Sequence, residues 1–312
     1  MRVSRSSGQE QPGLRARGAF ALLALPLTLG ACAGGILDPI GPVGNDNAQI
    51  LIDATLIMLV IVVPTILLAF FIAWRYRASN TKAEYLPYWS YSGRIEAVVW
   101  AIPILTIMFI GGVIVIGSYR LDPFRPLPSA VPPLEVEVVS LDWKWLFIYP
   151  EQRIATVNQL VIPAGRPVHF RLTSGSVLNT FFVPQLGSMI YTMPGMVSQL
   201  HLQADRPALT WGQSAHFSGD GFSDMQFQVR SVAPAEFAAW TQGARGTGAV
   251  LDLPTYAQLA RQSHRNPPVT FRDVDPRLFQ AIAMQRIPPA PGPEPASPEH
   301  AGREVTPAGR SH

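Results

Sequence analysis

Residues 56–73 read LIMLVIVVPTILLAFFIA and residues 97–117 read AVVWAIPILTIMFIGGVIVIG, and neither stretch holds a charged side chain. A helix needs about 20 apolar residues to cross the hydrocarbon of a bilayer. The pair therefore predicts a two-helix transmembrane hairpin, with spans at about 50–74 and 95–118. Buried helices of a soluble protein are the other reading, and two such runs in tandem weigh against it. Pro64 and Pro103 kink the spans, which is tolerated where neighbouring helices pack. Between the spans stand Arg75, Arg77, Lys82 and Arg94 against the single acid Glu84. Cations are enriched on the cytoplasmic side, so this loop faces inward and everything after Tyr119 faces outward. Trp74, Tyr76, Tyr88, Trp89 and Tyr91 sit at the loop ends, where interfacial aromatics belong.

Composition agrees with membrane segments. Only 14% of the 312 residues are charged, against about 25% in soluble domains. The net charge of +3 is small, and no basic stripe of the kind nucleic-acid binding requires is present, which excludes that partner class. Cys32 is the single cysteine. It excludes an internal disulfide, a zinc ribbon and an iron–sulfur cluster.

Arg2, Arg5, Arg15 and Arg17 precede an apolar run at 19–29, which is followed by Gly30, Ala31 and Cys32. A basic lead, a short apolar run and small residues form a secretory signal, too short to span. Leu29-Gly30-Ala31-Cys32 resembles the bacterial lipobox, which makes residues 1–31 a lipoprotein signal peptide and Cys32 the lipidated N-terminus. An ordinary signal cleaved after Ala33 remains the other reading. Residues 32–48 then form a flexible tether, and lipidation falls on the same outer side as the large domain.

Residues 120–133 are Pro-rich and read as a linker. Short β-rich runs follow at 134–141, 143–149, 158–162, 167–173, 179–183, 197–203, 213–218 and 225–232. Such runs, parted by Pro and Gly turns, predict a β-sandwich over 134–232. Short helices are expected at 234–242, 254–264 and 275–286, with Pro234 and Pro254 in first turns. Residues 287–312 hold seven prolines and no apolar cluster, and read as a disordered tail.

Longer stretches carry a family resemblance: WRYRASN at 74–80, IEAVVW at 95–100, DWKW at 142–145 with YPEQ at 149–152, and PQLGS at 184–188. With two spans and a sandwich they resemble subunit II of the haem–copper oxidases, most closely the cytochrome bo-type ubiquinol oxidase branch, over about residues 48–286. The resemblance implies a membrane-anchored α+β fold, with a two-helix transmembrane hairpin, a periplasmic cupredoxin-like β-sandwich and short C-terminal helices.

In the copper-bearing branch a His and a Cys-x-Glu-x-Cys-x-x-x-His-x-x-Met loop hold a binuclear copper centre, with thiolates bridging the metals. Here the first His position is Asn179. The bridging cysteines are Ser214 and Ser218, the Glu is His216, the second His is Phe222, and Met225 alone remains. Serine hydroxyls cannot replace bridging thiolates, so no metal is expected in this chain. His201 and His216 read as surface or hydrogen-bonded residues. Trp143 and Trp145 read as packing.

Without that copper, electrons are expected from ubiquinol and not from cytochrome c. The resemblance places haems and copper in subunit I and implies smaller membrane subunits beside it, in the cell inner membrane. This chain then supplies structure and assembly to a proton-pumping oxidase. Glu96, at the cytoplasmic entrance of the second span, matches a family glutamate at the mouth of a proton pathway; an interfacial carboxylate near Arg94 is the plainer reading. The rival functions are a cytochrome c oxidase subunit II, a menaquinol oxidase subunit II, and a free-standing lipoprotein with a cupredoxin-like binding module.

Overall fold

The computed structural model of the protein describes residues 35–84 and 86–290. Cys32, the signal segment and residues 291–312 lie outside the described residues. Two long helices come first, α1 (Pro42–Arg75) and α2 (Gly93–Arg120). Pro42 occupies the first turn of α1, where its missing N–H costs nothing. None of α2 is buried, and Val60, Phe70 and Ile107 are 74%, 71% and 70% exposed. Apolar surface of that extent requires lipid or a partner. At the helix ends Asn80 Nδ2 donates to the Arg75 carbonyl at 2.5 Å, Arg77 donates to the Trp74 carbonyl at 2.8 Å, and the Arg77 guanidinium lies 5.2 Å from the Trp74 ring centre.

At 34 residues α1 is longer than the roughly 20 that a crossing needs. Its surplus lies at the N-terminal end and differs from the tether expected over 32–48. Residues 38–48 dock on the sandwich, with Ile40, Val43 and Ala48 buried. Ile40 N–H donates to the Gln185 carbonyl at 2.9 Å, and Asp205 N–H donates to the Ile40 carbonyl at 2.8 Å. Glycine permits the approach: a Cβ on Gly41 would stand 1.8 Å from the Gln203 carbonyl oxygen.

The sandwich is built from β1 (Leu134–Leu141), β2 (Lys144–Tyr149), β3 (Ile154–Val157), β4 (Gln159–Pro163), β5 (Val168–Ser174), β6 (Asn179–Phe182), β7 (Ile190–Thr192), β8 (Ser198–Leu202), β9 (Ala208–Ser214) and β10 (Gln226–Val232). After α3 (Pro234–Gly246) come β11 (Val250–Leu251), α4 (Leu253–Leu259), β12 (Val269–Phe271), β13 (Asp273–Val274) and α5 (Leu278–Ala283). One sheet runs β12-β3-β2-β1-β5-β8 and the facing sheet β4-β10-β9-β6-β7. Parallel pairs β1–β5 and β4–β10 interrupt otherwise antiparallel sheets. Trp145, Phe147, Phe170, Phe181 and Phe227 fill the space between them with ring centres 5.1–6.4 Å apart.

Four expectations shift. The strand expected at 213–218 is β9 at Ala208–Ser214, because Gly212 lies inside it: a Cβ there would meet the Phe227 ring at 2.0 Å. β3, β7 and the short pairs β11–β13 and β12–β3 were not expected from periodicity, being two to four residues long. The helix expected at 254–264 stops at Leu259, and that expected at 275–286 spans Leu278–Ala283. The start of the expected tail is packed: Ile287 joins the outer cluster, and Ala290 N–H donates to the Gly175 carbonyl at 2.8 Å.

The C-terminal extension forms a third layer. Val139, Leu141, Leu146 and Ile148 point away from the sandwich interior, and Leu251, Tyr256, Leu278, Phe279 and Ile282 cover them.

Candidate functional site: a serine-substituted metal loop

β6 and β9 bring the expected copper-ligand positions to one end of the sandwich. Phe181 pairs with Ser214, and the chain after β9 turns back through a short 3-10 turn at Phe222–Asp224 before β10. Asn179, Ser214, Ser218 and Met225 converge there, with exposures of 0%, 4%, 7% and 1%. Ser214 Oγ stands 3.1 Å from Asn179 Oδ1 and 3.2 Å from the His216 carbonyl, one of which receives its single proton. Ser218 Oγ contacts Met225 Sδ at 4.0 Å. The other two positions turn away. His216 is exposed with its ring 6.0 Å from that of Tyr191, and Phe222 packs on Phe217 at 5.7 Å.

A thiolate-bridged copper pair does not fit these residues. The donor set is two hydroxyls, an amide and a thioether, and the Ser214 and Asn179 polar atoms are engaged with each other and with the His216 and Val177 carbonyls. Among the described residues no three His, Cys, Asp or Glu side chains gather to hold a metal ion.

The aromatic run beside this loop is structural in its contacts. Trp143 takes a left-handed backbone, φ 62°, uncommon for a bulky residue. Its indole Nε1 donates to the Ser218 carbonyl at 3.1 Å and its ring stacks on His264 at 4.4 Å. A Cβ on Gly221 would stand 2.2 Å from that ring, so glycine is required where the loop crosses it.

Lys144, which sequence reasoning passed over, is 1% exposed. Its ammonium donates to the carbonyls of Leu259 at 2.9 Å and Arg261 at 2.6 Å and to Ser263 Oγ at 2.6 Å. Burial lowers its pKa to about 8, and the carboxylate of Asp142 works in the opposite direction. A lysine alternating with tryptophans in DWKW was the available signal, since a cation on a strand face that becomes covered needs partners.

Two polar rows cross the outer face of the six-stranded sheet. Glu135 meets His169 at 2.8 Å, and His169 stacks on His201 at 4.4 Å. Glu137 meets Arg171 at 2.8 Å. Burial raises the Glu137 pKa to about 7, opposed by the Arg171 guanidinium and assisted by Glu135. Burial lowers that of His201, whose ring Nδ1 lies 3.2 Å from the Pro123 carbonyl.

Glu96 stands apart, exposed in the first turn of α2. It is separated from Arg120 by 24 residues, roughly 36 Å of helix. An acid there suits the positive end of the helix dipole.

The family described as the periplasmic domain of cytochrome C oxidase subunit II matches residues 136–232, and the COX aromatic rich motif matches residues 245–289. The cytochrome bo(3) ubiquinol oxidase subunit 2 of Pseudomonas aeruginosa is 45% identical over 290 residues, covering 93% of this chain and 88% of the relative. The ubiquinol oxidase subunit 2 of Acetobacter aceti is 48% identical over 265 residues, covering 84% and 86%. The quinol oxidase subunit 2 of Bacillus cereus is 35% identical over 242 residues, covering 77% and 83%. With two apolar helices ahead of the matched domain, this two-span membrane chain belongs to the ubiquinol oxidase subunit 2 family of the haem–copper oxidases.

Proposed function

We propose that this chain is the subunit without a redox centre of a proton-pumping terminal oxidase that oxidises ubiquinol and reduces dioxygen to water. The observation that carries this reading is the pair Ser214 and Ser218, hydrogen-bonded into the fold where bridging thiolates would be required. Without a copper relay, a soluble one-electron donor such as cytochrome c has no entry through this chain. A membrane quinol delivers its electrons directly to the partner subunit. Two quinols and one dioxygen give two quinones and two waters, with haems and copper held by subunit I.

The exposed apolar faces of α1 and α2 support membrane contacts with subunit I and smaller subunits. The loop cations place the hairpin turn in the cytoplasm and the sandwich in the periplasm. Cys32 serves as the diacylated N-terminus, and Glu96 collects protons at the inner mouth of a pathway into subunit I. Higher identity to relatives named for ubiquinol than to one named only for quinol supports ubiquinol as the donor.

The test is oxygen uptake by the purified complex with ubiquinol and with reduced cytochrome c, alongside copper quantification on the separated chain. Uptake with ubiquinol alone and a copper-free chain is expected. Uptake with cytochrome c, or stoichiometric copper on this chain, overturns the reading.

A further inference from the structure

Where the hairpin meets the sandwich, three clefts run into one another. The uppermost, about 270 Å³, lies between the start of α1, the 120–128 linker and β8, and is lined by Asp46, Arg120, Asp122, Arg125, Ser188 and His201 among others. A second, about 220 Å³, shares Asp46, Arg120 and Leu121 with it and passes between the helices against Gln49, Ile50, Asp53, Val113 and Ile116. The third shares Leu121, Pro123 and Ser188 with the first and descends along Val113, Ile114 and Gly117. The second cleft holds the polar pair Gln49 and Asp53, joined at 2.8 Å, whereas the third is mainly apolar along Ile50, Val113, Ile114 and Gly117.

The charges at the top are exposed and of both signs. Cations are depleted on the outer side of a two-span protein, yet two arginines flank this cleft. Among the described residues Arg120, Arg125 and Asp46 make no side-chain hydrogen bond or ion pair, while Asp122 receives one backbone N–H, from Phe124 at 3.0 Å. His201 is occupied in holding the linker over the cleft: its backbone N–H donates to the Pro123 carbonyl at 3.2 Å, and its ring meets the same oxygen. Guanidinium groups bind phosphate through paired N–H donors, and carboxylates bind an ammonium. Both signs occur together above an apolar groove.

We propose that this continuous cleft binds one zwitterionic phospholipid of the outer leaflet. Its phosphate lies at Arg120 and Arg125, its ammonium at Asp46 and Asp122, and an acyl chain in the third cleft along Ile50, Val113, Ile114 and Gly117. A phosphatidylethanolamine carries both charges above a chain, whereas a diacylglyceryl anchor has no phosphate and free phosphate has no use for the groove. The site is independent of which donor the oxidase uses.

The test is native mass spectrometry of the intact oxidase complex, delipidated and then supplied with phosphatidylethanolamine, phosphatidylglycerol or inorganic phosphate. The wild-type complex is expected to retain one phosphatidylethanolamine that the Arg120→Gln/Arg125→Gln variant loses, with at least tenfold weaker rebinding. The Asp46→Asn/Asp122→Asn variant is expected to keep a phospholipid but lose the preference for phosphatidylethanolamine over phosphatidylglycerol. An unchanged lipid count in the arginine variant overturns the proposal, as does equal rebinding of the two lipids or saturation by phosphate alone in the wild-type complex. Haem content reports assembly of each variant. If the arginine variant does not assemble, rebinding by the wild-type complex decides the matter.

Discussion

The Lys144 ammonium lies 2.6 Å from the carbonyl oxygen of Arg261, a residue 117 positions away and in the C-terminal extension. With Leu259 and Ser263 as further acceptors, this lysine fastens the segment after α4 to the edge of β2. Next to it, Asn158 Nδ2 donates to the Asn266 carbonyl at 2.9 Å and Trp143 stacks on His264. Lys144→Met leaves three acceptors without their donor, and charge-assisted bonds of this kind contribute about 1.5–3 kcal/mol each before compensation by water. The segment should open locally, so trypsin should cut at Arg261 and Arg265 in the variant complex and spare them in the wild type. Identical digestion would show that the extension is held without the lysine.

Ser214→Ala removes the hydroxyl facing Asn179 Oδ1. A buried acceptor then loses its donor, a local cost of about 1–3 kcal/mol. Faster amide exchange is expected across residues 214–225, with ubiquinol-driven oxygen uptake unchanged if, as proposed, electrons bypass this chain. A fall in turnover in a fully assembled complex would contradict the structural assignment.

Glu137 has a pKa of about 7, above the ordinary carboxyl value. Between about 4.5 and 7 the folded carboxyl keeps a proton that the unfolded chain has released. The group therefore favours the fold below that window and loses this contribution as pH rises through 7, on the order of 3 kcal/mol at most. Arg171, its partner, also lies 5.1 Å from the Phe279 ring of α5. Amide protection in β1, β5 and α5 of the complex, corrected for intrinsic exchange, should drop between pH 5 and pH 7.5. Glu137→Gln should flatten that dependence, and a flat wild-type profile would refute the argument.

Glu96→Ala should slow ubiquinol-driven oxygen uptake several-fold while haem content and the ratio of subunits remain normal, because the side chain is exposed and makes no ion pair among the described residues. Glu96→Asp should recover part of the rate. Full turnover in the alanine variant would leave only the interfacial role.

Much of this molecule was legible from residue order because each deciding property is local. A charge-free run of bilayer length needs no distant residue to be read, and β1 runs from Leu134 to Leu141 as its alternation predicts. Missing thiols at 214 and 218 are visible without coordinates, since no other side chain reproduces their chemistry. The short strands were hidden. β7 is three residues long and β11 and β13 two each, too few for a period to register, and they exist through pairing with another strand, β7 on β6 and β11 on β13.

Local chemistry thus determined that the chain has two apolar spans, a β-rich domain and a loop unfit for bridged copper. Long-range packing decided the rest. It turned residues 38–48 from an expected tether into a docked helix start, placed Lys144 against carbonyls more than a hundred positions away, and set Arg120 and Arg125 at the clefts between the spans and the sandwich. None of these is a property of a short window. Each depends on desolvation and hydrogen-bond satisfaction between segments that meet only when the chain has closed on itself.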